Sequence, residues 1–341
     1  MIRKDFIKHS AIISGSLLIA KDLFAKPKGP VYGHNKMRYR MDAKWGELNP
    51  SVNPVKDCHE MVQDSKGRIL LLTNETKNNV LVYNKSGKLL DSWGHDFPGA
   101  HGLTLHRANG EDFLFITDTV KHEVYKTTIT GQVLQTIDYP QETGHYPKKE
   151  AFVPTETTVL DNGDFYIADG YGLQYIMHYA ANGKLKNVFG GKGTGKENLD
   201  NAHGITVDTR QTPATLLITD RTRNCFKRFS MDGKLLEVIE LPGACVCRPV
   251  IHRNHLYAAV LRSPDLNAAG TGFVTVLDKN NKVVSNIGGT EPVYQNNELQ
   301  PLRQAEKIFI HPHDVCVDND ENLYVAQWNS GKVYPYKFKR V

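Results

Sequence analysis

A chain of 341 residues that is 40% apolar and 23% charged can bury a large core, which excludes an intrinsically disordered protein. Its formal net charge of +5 is small and its lysines and arginines are scattered, so no nucleic-acid partner is expected. The five cysteines are an odd number without a regular spacing, and they predict no disulfide framework.

The first residues have the pattern of an export signal. A basic segment at residues 3–8 precedes a short apolar segment at residues 11–20, and Ala25 offers a small residue for cleavage. The basic segment also resembles a twin-arginine signal with one arginine replaced. The apolar run is too short to span a bilayer, so no stable membrane insertion is expected. We predict that residues 1–26 direct export to the periplasm or the cell exterior.

Beyond residue 26 the chain repeats one unit of four short apolar segments separated by turn residues. The clearest copy follows His203 and contains the segments 205–207, 216–220, 225–229 and 235–239. About six such units occur at a spacing of roughly 40–65 residues, which is typical of a β-propeller with four-stranded antiparallel blades. The units begin at His59, His101, Thr155, His203, near Arg248, and at His313.

The last unit lacks its fourth strand, whereas residues 39–46 near the N-terminus look like a spare one. Trp45-Gly46 in this segment echoes Trp93-Gly94 and Phe189-Gly190 at the ends of other fourth strands. We therefore predict an all-β fold, a six-bladed β-propeller whose last blade is closed by an N-terminal strand. An open solenoid is the structural alternative, but the missing and spare strands favour closure.

No composition shift marks a domain boundary, so residues 27–341 are predicted to form a single β-propeller domain, expected to be a monomer. Four longer insertions interrupt the units, and such loops usually collect on one face of a propeller and shape its binding surface. They cover residues 139–152, 190–201, 262–272 and 289–308.

Four units carry a histidine at the start of their first strand, namely His59, His101, His203 and His313. The first strand of each blade lines the central channel, so these imidazoles are expected to converge at one mouth. Neutral imidazoles from several blades suit zinc, with one position open for water or substrate. The alternative is four unrelated surface histidines among the fourteen in the chain.

The repeats resemble NHL repeats, and four motifs resemble those of the peptidyl-α-hydroxyglycine α-amidating lyase family. The similarity covers roughly residues 40–341. Its motifs are His-Gly-Leu at His101, His-Gly-Ile at His203, Pro-His-Asp at His313 and the strand end Ala168-Asp169-Gly170-Tyr171.

This resemblance implies that His101, His203 and His313 bind zinc. It also implies that Tyr171 is the catalytic base and that Arg221, in Thr219-Asp220-Arg221, binds the substrate. These roles agree with the chemistry of the groups. Zinc polarises a bound oxygen, a tyrosine beside a cation can accept a proton, and an arginine binds a carboxylate through two hydrogen bonds.

The resemblance further implies a structural calcium ion in the channel. Its ligands would be the backbone carbonyls of Met61 and Leu103 and the side chain of Asp314. Hard oxygen ligands of this kind are the ones that calcium prefers.

The sequence also departs from the family. Residues 72–75 lack the family's second catalytic arginine, and Gly172 replaces a cysteine, so its disulfide is absent. His59 is an additional channel histidine, either a fourth zinc ligand or a catalytic acid or base. Cys58 and Cys316 adjoin repeat histidines, and both a disulfide and free thiols remain open. No copper monooxygenase domain, the family's partner activity, is fused in this chain.

Three functions are consistent with these patterns. The first is a secreted, zinc-dependent lyase that cleaves a carbinolamide-type C–N bond and releases glyoxylate. The second is a metal-dependent lyase, hydratase or epimerase acting on a sugar acid or an oxidised sugar, which the missing arginine favours. The third is a non-catalytic NHL-type binding module. For the enzymes, the expected partner is a small-molecule or peptide-like carboxylate substrate.

Overall fold

Turn residues interrupt the apolar runs so often that the chain forms short antiparallel strands, none longer than nine residues between residues 29 and 341. The computed structural model describes residues 29–341, and Val31–Val341 form one unit. The predicted export signal, residues 1–26, lies outside the described residues. No helix within 29–341 is long and apolar enough to cross a lipid bilayer.

Six antiparallel sheets form the blades of a propeller, in chain order. Blade 1 contains Cys58–Gln63, Ile69–Thr73, Val80–Tyr83 and Leu89–Trp93. Blade 2 contains Ala100–Ala108, Glu111–Asp118, Glu123–Thr128 and Val133–Ile137. Blade 3 contains Glu156–Val159, Phe165–Ala168, Tyr175–Tyr179 and Leu185–Gly190. Blade 4 contains Ile205–Asp208, Thr215–Asp220, Cys225–Phe229 and Leu235–Glu240.

The last two blades are less regular. Blade 5 contains Cys245–Val246, Val250–His252, His255–Arg262, Phe273–Leu277 and Val283–Ile287. Blade 6 contains Pro312–Val317, Leu323–Gln327, Tyr336–Arg340, Met37–Asp42 and Val31–His34. Short elements between blades are the hairpin Tyr294–Gln295 with Glu298–Leu299 and the 3-10 helices Gln141–Thr143, Lys149–Ala151 and Arg221–Arg223.

The inner strands of consecutive blades contact one another around a closed ring, and the last contacts the first. The six-bladed all-β prediction is therefore confirmed. The apolar core is divided in the same way, because six clusters of buried side chains each join two neighbouring blades. Each blade thus buries its two apolar faces against different neighbours.

The N-terminal segment closes the ring as predicted, with different boundaries. Met37–Asp42 pairs antiparallel with Tyr336–Arg340 and supplies the fourth strand of blade 6. The strand begins two residues before the predicted segment 39–46 and ends four residues before its end. Trp45-Gly46 therefore lies in the turn that follows the strand. Blade 6 also has a fifth strand, because Val31–His34 pairs with Met37–Asp42. The sequence did not predict this outer strand.

The aromatic residues near the ends of fourth strands lock neighbouring blades together. Each ring packs against a turn glycine of the next blade, and the three pairs are Trp45 with Gly87, Trp93 with Gly131, and Phe189 with Gly233. A Cβ atom on Gly131 would lie 2.5 Å from Trp93 Cε3, and its φ of +92° is rarely adopted by other residues. Position 131 therefore requires glycine for two reasons, the backbone conformation of the turn and the packing of the Trp93 indole.

We expect Gly131→Ala to destabilise the protein more than Gly110→Ala, a matched turn glycine of the same blade. Gly110 has a φ of +83° but nothing within 4 Å of a Cβ atom. Gly110→Ala should therefore lower the free energy of unfolding by about 1–2 kcal/mol, through backbone strain alone. Gly131→Ala should cost about 1–3 kcal/mol more, because the methyl group also displaces Trp93. Urea unfolding of both variants measures this difference, and equal losses would contradict the packing argument.

Candidate metal centre and active site

Six residues share one position at the start of the inner strands, and the predicted histidines fill four of them. These six residues, one from each blade, are His59, His101, Thr155, His203, Cys247 and His313. Glycines follow two of the histidines because the blades approach closely there. A Cβ atom on Gly102 would lie 2.6 Å from the Thr155 carbonyl oxygen, and one on Gly204 would lie 2.5 Å from Arg248 Cα.

The structure brings all four histidines together. The His101 ring centroid lies 4.8 Å from those of His59 and His203 and 4.9 Å from that of His313. All four side chains are buried. Ligand atoms of His59, His101 and His313 lie within 4.8 Å of one another. The His203 ring is 4.8 Å from that of His313, but its nitrogens are not part of that close set.

Neighbouring backbone carbonyls orient two of these rings. His101 Nδ1 lies 2.8 Å from the carbonyl oxygen of Thr155, and His313 Nδ1 lies 3.0 Å from that of His59. A carbonyl can only accept, so Nδ1 carries the proton and the Nε2 lone pair remains available to a metal.

Other ring nitrogens have no partner in the part of the chain that the structure describes. These buried atoms are Nδ1 of His59 and both nitrogens of His203. A buried polar atom without a partner is unfavourable unless a ligand satisfies it. The donor set of four imidazoles therefore fits a zinc ion.

Electrostatics keeps the imidazoles neutral. Burial lowers the pKa of His101, His203 and His313 well below the usual value, and neighbouring imidazoles and Arg221 contribute to this shift. Burial and the positive charge of Arg221 lower the pKa of His59 to about 3. Neutral imidazoles are the form that binds metal ions.

Tyr171 lies directly beside this group. Its hydroxyl is 3.1 Å from His101 Nε2, although 42% of the residue is exposed. The preceding Asp169 fixes the loop, because its carboxylate accepts hydrogen bonds from the backbone N–H groups of Val153 and Leu173 and from the Tyr146 hydroxyl. Burial raises the pKa of the Tyr171 hydroxyl, and the neighbouring Arg221 guanidinium opposes that increase.

Arg221 opens a short 3-10 helix after the second strand of blade 4 and is buried. Its Nε donates to the Val246 carbonyl oxygen at 3.2 Å, and its Nη2 lies 3.1 Å from Cys247 Sγ. The Asn201 carbonyl oxygen accepts hydrogen bonds from the backbone N–H groups of both His203 and Arg221. One loop residue thus fixes a histidine and the arginine relative to each other.

A cavity of 440 Å³ opens onto these groups. Its lining contains His59, Asn74, His101, Thr119, Tyr171, Asn201, Arg221, Leu261, Arg262, Leu266, His313 and Trp328. Sequence reasoning did not identify Asn201, Arg262, Leu266 or Trp328 as site residues. Asn201, Arg262 and Leu266 lie in the segments 190–201 and 262–272, which the sequence predicted to be loops of the binding face.

The departures from the family pattern have local explanations. Asn74, in the segment that lacks the arginine, exchanges two hydrogen bonds of 3.0 Å with Asp57. At Gly172 a Cβ atom would lie 2.1 Å from an Asp169 carboxylate oxygen, so a cysteine would not fit without rearrangement. All five cysteines, including Cys58 and Cys316, are free and buried.

The predicted calcium site contains an arginine side chain. The three predicted ligands already bind the guanidinium of Arg248, at 3.2 Å from the Met61 carbonyl oxygen, 2.9 Å from the Leu103 carbonyl oxygen and 2.8 Å from the Asp314 carboxylate. Asp314 also accepts a hydrogen bond from the backbone N–H of Met61. These atoms do not fit a calcium ion, because a built-in cation occupies the position.

Two further carboxylates complete the Arg248 cluster. Glu60 lies 3.2 Å and Glu156 lies 3.7 Å from the guanidinium. Burial raises the pKa of both glutamates, which allows bound protons to offset the excess negative charge. The inner strand of blade 5 is interrupted between Val246 and Val250, where Arg248 enters the channel.

Comparison with known proteins agrees with the fold and the motifs. No protein-family model matches the chain. The chain is 34% identical over 273 residues to peptidyl-alpha-hydroxyglycine alpha-amidating lyase 1 of Drosophila melanogaster, covering 74% of this chain and 47% of that protein. It therefore spans about half the length of that lyase. It is 25% identical over 240 residues to human NHL repeat-containing protein 3, covering 60% of this chain and 68% of that protein.

A solved streptogramin B lyase structure superposes with a TM-score of 0.58 at 13% identity, covering 88% of this chain and 97% of the other, which shows a shared fold. The fold defines the chain as a six-bladed β-propeller, and its sequence is similar to that of an NHL repeat-containing protein. It also resembles the peptidyl-α-hydroxyglycine α-amidating lyases, as its histidine motifs predicted.

We expect His101→Ala to abolish zinc binding, because it removes an imidazole whose Nε2 faces the group. Zinc content of the purified variant should fall from about one ion per chain to near zero, measured by elemental mass spectrometry. His106→Ala is the matched control, since His106 is also buried and lies on the same strand, Ala100–Ala108. Equal zinc content in both variants would exclude His101 as a ligand.

We expect the folded protein to need no calcium, because Arg248 fills the predicted site. In protein treated with EGTA, which also removes zinc, and then reloaded with zinc, adding calcium should leave the midpoint of thermal unfolding unchanged. Arg248→Met should lower the free energy of unfolding by about 3–5 kcal/mol, because it leaves the buried carboxylates without their cation. Arg253→Met, which alters an arginine with a 62% exposed side chain, should cost less than about 0.5 kcal/mol. A higher unfolding midpoint after calcium is added to this zinc-loaded protein would refute this view of the channel.

Proposed function

We propose that the chain is an exported, zinc-dependent lyase that cleaves the carbinolamide C–N bond of a peptidyl-α-hydroxyglycine-type substrate. The observation that carries this proposal is the convergence of four buried imidazoles with Tyr171 and Arg221, of which all but His203 line one cavity. The similarity to the Drosophila lyase supports it. The N-terminal signal pattern supports action in the periplasm or outside the cell.

The proposed zinc ligands are His101, His203 and His313, with His59 as the fourth imidazole. When bound, zinc would supply a Lewis acid that polarises the oxygen of the substrate. The burial of the site contributes as well, because electrostatic interactions are stronger where water is excluded.

The reaction needs no oxidant or reductant. The substrate R–CO–NH–CH(OH)–COO⁻ gives the amide R–CO–NH₂ and glyoxylate, OHC–COO⁻. The hydroxyl O–H and the C–N bond break, the C=O bond of glyoxylate forms, and the amide nitrogen gains a proton. In the proposed roles, Tyr171 removes the hydroxyl proton, and Arg221 binds the carboxylate and favours the ionised form of Tyr171.

A second candidate is a metal-dependent lyase, hydratase or epimerase acting on a sugar acid or an oxidised sugar. The specific observation in its favour is Asn74, which stands where the family has a catalytic arginine and is held by Asp57. A substrate without an amide C–N bond would use the same imidazoles and Tyr171.

Glyoxylate release from α-hydroxyhippurate by the zinc-loaded full chain tests the first proposal. We expect the wild type to produce benzamide and glyoxylate in equal amounts. Tyr171→Phe should lower kcat at least about 100-fold, because it removes the group that accepts the proton. Tyr175→Phe, a substitution on the adjacent strand, is the control and should retain activity. A zinc-loaded wild type that releases no glyoxylate would favour the second candidate.

A further inference from the structure

Arg262 is a second arginine in the cavity whose charge has no counterpart. It is the last residue of the strand His255–Arg262 in blade 5. Its Nη1 donates to the Leu266 carbonyl oxygen, whereas its Nε is buried without a hydrogen-bond partner within residues 29–341. No described carboxylate forms an ion pair with it. A buried donor of this kind is unfavourable unless a ligand accepts its hydrogen bond.

The cavity as a whole favours an anion. Arg221 and Arg262 both line it, and no aspartate or glutamate is among its described lining residues. The histidines are neutral before metal binds, and a bound metal ion would add further positive charge. Two guanidinium groups in a partly enclosed, acid-free cavity raise the local concentration of negatively charged ligands.

The wall next to Arg262 is apolar. Leu261 is buried, and the half-buried Leu266 and Trp328 pack with it into one small cluster. All three line the cavity. A ligand that reaches Arg262 with its carboxylate therefore lies close to an apolar surface that can cover a flat or branched hydrocarbon group.

We propose that Arg262 is a substrate-binding residue, which holds the substrate carboxylate together with Arg221, and that Leu266 and Trp328 select a bulky apolar group on the amide side. The preferred substrates would be N-acylated α-hydroxyglycines whose acyl group is aromatic or branched. Blade 5 thereby supplies the positive charge that blade 1 lacks at Asn74. This inference rests on the proposed function for its substrate chemistry.

Calorimetric binding of hippurate to the zinc-loaded full chain tests this assignment. Hippurate has the carboxylate and an aromatic acyl group, hippuramide lacks the charge, and N-acetylglycine lacks the ring. Arg262→Gln should raise the Kd of hippurate at least about tenfold and leave that of hippuramide unchanged. Trp328→Ala should weaken hippurate more than N-acetylglycine. An unchanged Kd of hippurate in Arg262→Gln, or an equal loss for hippuramide, would overturn the assignment.

Arg253→Gln is the matched control. Arg253 precedes the same strand that Arg262 ends, its side chain is 62% exposed, and its substitution changes the net charge equally. It should bind hippurate like the wild type. Arg262→Lys, which retains a donor for the Leu266 carbonyl, should show an intermediate Kd and a wild-type unfolding midpoint, so the test does not depend on the glutamine variant folding.

Turnover of α-hydroxyhippurate separates this inference from the proposed reaction. If the wild type binds hippurate through Arg262 but releases no glyoxylate, the reaction is wrong and the binding role stands. If the wild type releases glyoxylate and Arg262→Gln keeps the same KM and the same Kd for hippurate, the reaction stands and the binding role is wrong.

Discussion

The guanidinium of Arg248 is the interaction on which the centre of the propeller depends. It extends from blade 5 to the Asp314 carboxylate of blade 6, the Met61 carbonyl of blade 1 and the Leu103 carbonyl of blade 2. With Glu156 of blade 3 it joins five of the six blades. A rigid fork with five donors can satisfy several acceptors at fixed angles, which a flexible lysine could not do. His59, His101 and His313 lie one or two residues before the groups that Arg248 binds, so the same bonds that hold the blades also fix these proposed metal ligands.

Departures from the repeat concentrate at the site. At the ring position of the histidines, blade 3 has Thr155, whose carbonyl orients His101, and blade 5 has Cys247, which contacts Arg221. These two blades carry no imidazole at this position and instead position neighbouring groups. Blade 5 departs most, with an interrupted inner strand that admits Arg248 and a second strand that ends at Arg262. A symmetric fold has thus become an asymmetric site through changes in a few channel residues.

The sequence predicted the fold well because the alternating strands repeat six times and a turn glycine recurs between the third and fourth strands of blades 1–4. The N-terminal closing strand was predicted from a missing partner elsewhere in the chain. Its extra neighbour Val31–His34 was not, since a short edge strand has no strong pattern of its own. The four histidines were predictable from their shared register. The role of Arg248 was missed because family resemblance suggested calcium, although acids at Glu60, Glu156 and Asp314 in that register indicate a central cation. Arg262 and Trp328 depend on how loops and strand ends converge, which repeat analysis does not give.

Closure by the N-terminal strand has a consequence for the metal centre. The two ends of the chain meet in blade 6, where Met37–Asp42 pairs with Tyr336–Arg340. Across the seam between blades 6 and 1, His313 Nδ1 bonds to the carbonyl oxygen of His59. Two of the proposed metal ligands therefore lie on opposite sides of the seam where the propeller would open. An ion bound between them would join the two blades, and by thermodynamic linkage it would stabilise the closed propeller while closure would strengthen ion binding.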